Sequence, residues 1–260
     1  MEAAFFDLDK TVIAKATLVA YSQPLRREGY ISHWLMARAL WAHLVFNRLG
    51  ASEEKLRRYR EQALRIAKGW DQVRLSELVR ETIADVIDPL VYDEALELID
   101  SHRDAGRRVY LVSASPLEIV APLGAYLGVD DVIATRAEID DEQRYTGEVE
   151  FYAYGANKVV AIEAEATRHD IDLDRSYAYS DSHTDIPLLA AVGHPVAVNP
   201  DRELLRIANH RGWEIRVFER PVAMRSRLPL PSRRAAAIGG GTAAVVAAIG
   251  GAGWVWARTR

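Results

Sequence analysis

Apolar positions in this chain follow two spacings. Short apolar runs of strand length occur at residues 3–6, 107–112, 132–137, 176–179, 194–198 and 213–218. Between them lie stretches with an apolar residue every three or four positions. One covers 91–105 and stops at Gly106, another begins at Gly155-Ala156-Asn157-Lys158, and a third covers 203–210. Strands alternating with helices predict an α/β fold built on a parallel, doubly wound sheet. At 140–151 a polar centre with alternating flanks predicts a hairpin instead.

Between the first and second strands the strand pattern disappears. Residues 30–49, which include Trp34, Leu40, Trp41 and Phe46, repeat at helical spacing, and 53–68 and 71–86 are amphipathic with charge on one side. Asp88-Pro89 breaks the run. Residues 14–88 therefore read as a helical domain inserted into a core formed by 1–13 and 89–219. Its aromatics and its two histidines, His33 and His43, read chiefly as packing or surface residues, and Arg26 and Arg27 chiefly as solvated charges.

The chain has 260 residues, enough for one sizeable core and a subsidiary domain. Its net charge of -4 gives no general attraction to nucleic acid. The absence of cysteine excludes disulfides and thiol catalysis and fits a cytoplasmic setting. Met1-Glu2 leads directly into the first strand, so no N-terminal signal peptide is expected.

The C-terminal segment differs from the rest. Residues 220–234 hold five arginines, three prolines and no acid, the composition of an extended basic linker. Residues 235–257 then run without a charge, with Trp254 and Trp256 near the end. At helical rise this length reaches roughly 30 Å, enough for a single transmembrane anchor with the preceding domain on the cytoplasmic face. The segment is mostly alanine and glycine, so a glycine-rich disordered tail is the competing reading.

Chemistry gathers at the strand ends. The first strand runs into Asp7-Leu8-Asp9-Lys10-Thr11, which puts two carboxylates on the same side. Such acids repel unless a cation lies between them, and oxygen donors suit Mg²⁺. Taken alone, the pair serves equally well as a helix cap or a solvated turn. Ser113-Ala114-Ser115-Pro116 ends the second strand, and Pro116 suits the first turn of a helix whose positive end could hold phosphate. Ser113 or Ser115 could equally be a simple cap. Lys158 falls in the first turn of a helix, where the dipole disfavours it. Ser180-Asp181-Ser182-His183-Thr184-Asp185 follows a later strand.

In order and type these four segments resemble the motifs of the haloacid dehalogenase superfamily of phosphohydrolases, over about residues 3–218. The insertion after the first motif is similar to the C1 cap of subfamily IB, the phosphoserine phosphatase-like members. The resemblance implies Mg²⁺-dependent hydrolysis of phosphomonoesters through an aspartyl-phosphate. Asp7 is then the nucleophile and Asp9 the general acid and base. Asp7, Asp9 through its backbone carbonyl, and Asp181 hold the metal. Ser113, the Ala114 amide and Lys158 bind phosphate, and Asp185 orients the metal site or braces the lysine from behind. The implied substrate is a small phosphorylated metabolite or lipid head group, with no nucleic acid partner. Lys10 and Ala16 stand where phosphoserine phosphatases carry a serine and a substrate-binding glutamate, which argues against phosphoserine. Phosphoserine phosphatase proper, and a membrane-tethered non-catalytic binding module on the same fold, are the alternatives.

Overall fold

The computed structural model of the chain describes residues 1–32 and 67–219. Ala3–Asp7 (β1) is buried along its whole length, as its unbroken apolar run requires of a strand covered on both faces. Two short helices follow, Thr17–Ala20 (α1) and Ser22–Arg27 (α2), and then Gln72–Val86 (α3) and Asp93–Asp104 (α4). The remaining elements are Arg108–Pro116 (β2), Leu117–Leu127 (α5), Asp131–Ile139 (β3), Tyr145–Phe151 (β4), Ala156–His169 (α6), Tyr177–Ser180 (β5), Ile186–Ala190 (α7), His194–Val198 (β6), Arg202–Arg211 (α8) and Glu214–Arg216 (β7).

The strands form one sheet in the order β4-β3-β2-β1-β5-β6-β7. Every pairing is parallel except that of β3 with β4. The hairpin expected at 140–151 therefore extends the sheet as an antiparallel edge. Side chains alternate across β1. Ala3 and Phe5 join Ile162 of α6, Leu188 of α7 and Leu204 of α8 in one buried cluster. On the other face Phe6 packs edge-on against His102 of α4. Helices thus cover both faces, which gives a doubly wound α/β fold.

Local signals account for several boundaries. Asp71 caps α3, its Oδ1 accepting from the Arg74 amide at 2.9 Å. Gly106, at φ 73°, turns the chain out of α4 into β2. Pro116 lies one residue before α5 instead of in its first turn, because β2 continues through it. The helices expected at 30–49 and 53–68 lie largely outside the described residues, as do the linker at 220–234 and the segment at 235–257. Among the described residues no helix is long and apolar enough to cross a membrane.

His102 sits among Phe6, Tyr177 and Tyr179, and its Nε2 lies 2.7 Å from the Tyr179 hydroxyl. Burial, then the nearby Arg107 and Arg216 charges, opposed by Glu2, pull its pKa down to about 4 from the ordinary 6.5. The folded protein keeps this imidazole neutral where the unfolded chain would protonate it. Its contribution is full above about pH 6.5 and is lost as pH falls towards 4, a change on the order of 3 kcal/mol. The stability advantage over His102→Gln should therefore narrow across that window in chemical denaturation. A gap that stays constant would show that His102 is not held neutral.

Candidate active site

Strand register brings the expected residues to one end of the sheet. Asp7 pairs with Val112, so Ser113 is the next residue on β2, and Phe6 pairs with Tyr179, so Ser180 and Asp181 follow beside Asp7. Ligands in open α/β sheets bind at this carboxyl end. Asp7, Ser113, Lys158, Asp181 and Asp185 are all buried there, whereas Ala114 is half-buried.

Lys158 reaches the site from the first turn of α6. Gly155, just before that helix, adopts φ 54° and ψ -127°, a conformation open in practice only to glycine. The Lys158 ammonium donates to Asp7 Oδ1 at 2.7 Å and to Asp185 Oδ2 at 2.7 Å. Asp185 Oδ2 also accepts from the Ser180 hydroxyl at 2.8 Å, and Thr11 donates to Asp7 Oδ2 at 3.4 Å. The lysine that the helix dipole disfavours is thus held by two buried carboxylates. Burial alone would favour its neutral form, but Asp7 and Asp185 outweigh it and hold the pKa above the ordinary value, so the group stays charged.

Charge in the cluster does not balance. Burial raises the Asp7 pKa well above the usual carboxylate range; Lys158 opposes the shift, and Asp185, Asp181 and Asp9 add to it. Asp181 is pushed up to about 7 by burial, with Lys10 opposing and Asp185 and Asp201 reinforcing. One ammonium among these carboxylates leaves room for a further cation, and hard oxygen donors fit Mg²⁺.

Asp9 is placed differently. Its Oδ1 accepts from the Thr17 amide at 2.6 Å and from the Thr17 hydroxyl, and its Oδ2 accepts from Ser115 Oγ at 3.3 Å. With its carboxylate turned to these donors, no three acidic or histidine side chains converge on one point among the described residues. Asp7 and Asp181 are the buried carboxylates that could face a metal, whereas both carboxylate oxygens of Asp9 are turned to Thr17 and Ser115. Ser113 Oγ accepts from the Ser115 amide at 3.1 Å, and the Ala114 carbonyl accepts from Thr135 Oγ1 at 2.8 Å, so the end of β2 is pinned on both sides. His183, exposed at the rim, is held by Asp201 at 2.7 Å and touches neither Asp7 nor Asp9. Sequence reasoning did not single out Thr17, Ser115 or Ser180 as partners of the acids. Only the parity of Ser113 and Ser115 on one strand could have pointed to any of them.

The model of the haloacid dehalogenase-like hydrolases matches residues 4–190. The chain is 46% identical to the inhibition of morphological differentiation protein of Streptomyces azureus, over 99% of this chain and 93% of that one. It is 44% identical to a probable phosphatase of Mycobacterium tuberculosis, over 90% and 82%. A phosphoserine phosphatase of the same organism is 34% identical, over 94% and 80%. Among solved structures, a Bordetella pertussis protein of unknown function superposes with a TM-score of 0.71 at 31% identity, covering 82% of this chain and 97% of that one.

Proposed function

Because this chain belongs to the haloacid dehalogenase-like hydrolases and is a phosphatase of that family, we propose that it cleaves phosphomonoesters through an aspartyl-phosphate formed on Asp7. The observation that carries this reading is the Lys158 ammonium bonded to both Asp7 and Asp185 at the strand ends, with Asp181 beside them.

In the first half-reaction a carboxylate oxygen of Asp7 attacks phosphorus, and the ester P–O bond breaks. The departing oxygen takes a proton from Asp9. In the second half-reaction Asp9 removes a proton from water as that water attacks phosphorus, the aspartyl P–O bond breaks, and Asp7 is restored with release of inorganic phosphate. The bonds from Thr17 and Ser115 orient Asp9 for both transfers. Ser113, the Ala114 amide and Lys158 hold the phosphoryl oxygens, a division of labour suited to a reaction governed by positioning and charge. Mg²⁺, with Asp7, Asp181 and the Asp9 carbonyl as proposed ligands, would offset repulsion between Asp7 and the phosphate. Residues 1–13 and 89–219 form the core in this reading and 14–88 the cap. The substrate is a small phosphorylated metabolite or lipid head group, and Lys10 and Ala16 set the chain apart from phosphoserine phosphatase proper.

Beryllium or aluminium fluoride, which mimics a phosphoryl group on an aspartate, should inhibit Mg²⁺-dependent hydrolysis of a generic phosphomonoester. An active enzyme indifferent to high concentrations of both would overturn the covalent step.

A further inference from the structure

An apolar cavity of about 560 Å³, counting the part open to solvent, lies between the inserted helices and the sheet. Leu25, Trp70 and Leu75 wall it on one side, and Pro116, Ile119 and Tyr145 on the other. Its position relative to Asp9 is set by chain neighbours. Leu18 and Pro116 line the cavity, and each directly follows a residue, Thr17 or Ser115, that hydrogen-bonds the Asp9 carboxylate. Thr135, also in the wall, bonds the carbonyl of Ala114. The cavity therefore adjoins the residues that hold the Asp9 carboxylate and the strand end assigned to phosphate.

Its walls are selective. No lysine or arginine is found among the described residues that line it, and its single charged residue, Glu148, is exposed. The buried Tyr145 hydroxyl lies beside the Glu118 carboxylate, whose Oε1 takes the Gln72 amide at 3.0 Å. A carboxylate-bearing leaving group such as serine would find no cation among these residues and would lose its hydration uncompensated by them. An apolar leaving group would lose only unfavourable water contacts.

We propose that this cavity receives the leaving alcohol and that the alcohol is chiefly apolar. The proposal rests on the phosphatase reading above and adds the class of substrate. About 90 Å³ of this space admits the centre of a water-sized sphere, room for an aromatic ring or a short alkyl body. A lipid chain offers the same chemistry.

The test compares esters of unactivated alcohols, so that leaving-group reactivity is not the variable. With Mg²⁺ and the full chain, kcat/KM for benzyl and hexyl phosphate should exceed that for glycerol 1-phosphate and phosphoserine by at least tenfold, mostly through KM. Hexadecyl phosphate in micelles separates the sources: a rate above benzyl phosphate assigns the apolar group to a lipid, and a lower rate assigns it to a metabolite. Ala137, also in the wall, provides the structural control. In a folded Ala137→Phe protein the benzyl-over-glycerol preference should fall about tenfold. Calorimetry with benzylphosphonate and methylphosphonate reads the cavity without turnover, and the benzyl compound should bind at least tenfold tighter. If no ester is cleaved but this preference holds, the phosphatase reading fails and the cavity assignment stands. Equal affinities, or a preference unchanged by Ala137→Phe, would overturn the inference.

Discussion

Asp7→Asn should remove phosphatase activity by on the order of 10⁴-fold or more, because an amide cannot form the acyl phosphate. The fold should survive. The asparagine Oδ1 can still accept from the Lys158 ammonium, which bonds the same atom of Asp7 at 2.7 Å. The substitution also removes one negative charge from a cluster whose burial and neighbouring carboxylates already hold Asp7 towards its protonated form. Thermal stability at neutral pH should therefore equal or exceed that of the parent protein. Initial rates on a generic phosphomonoester, paired with melting curves, check both halves of the expectation. Substantial turnover in a protein that melts like the parent would remove Asp7 from the mechanism.

Lys158→Met should be damaging twice over. The lysine is buried and bonds Asp7 and Asp185, so its loss leaves two carboxylates without their cation. Breaking a buried pair in this way costs about 3–5 kcal/mol at neutral pH. The loss should shrink as pH falls and the orphaned carboxylates take up protons. Activity should fall by about 10²–10³ as well, the usual effect of removing one donor to a charged transition state. Denaturant unfolding at pH 7 and pH 5 measures the first effect and kcat the second. Lys158→Met combined with Asp185→Asn separates them, since the second change relieves stranded charge without restoring the donor. Stability should partly return while the rate does not. A rate that returned together with stability would make Lys158 a structural residue only.

Much of this architecture is written in local pattern. The unbroken apolar run before Asp7 marks a strand covered on both faces, and Gly106 and Asp71 mark helix ends. The alternation of strands and helices leads to a doubly wound sheet. Each of these depends on neighbours a few positions apart, where spacing alone determines which side a residue faces. The order of acids, serine and lysine along the chain was legible for the same reason, since each sits at the end of an element.

The pairing of those groups was not. Asp7 and Lys158 are 151 positions apart, and only the register of β1 with β2 and β5 brings the acids to one end, where a glycine-assisted turn presents the lysine. The direction of the Asp9 carboxylate, towards Thr17 and Ser115 instead of Asp181, depends on a loop and a strand end that no periodicity relates. The antiparallel β4, the neutral His102 and the apolar cavity beside Asp9 arise in the same way. A residue's periodicity records whether it is buried. What it is buried against is decided by register and helix packing, because those contacts join segments with no fixed spacing in sequence.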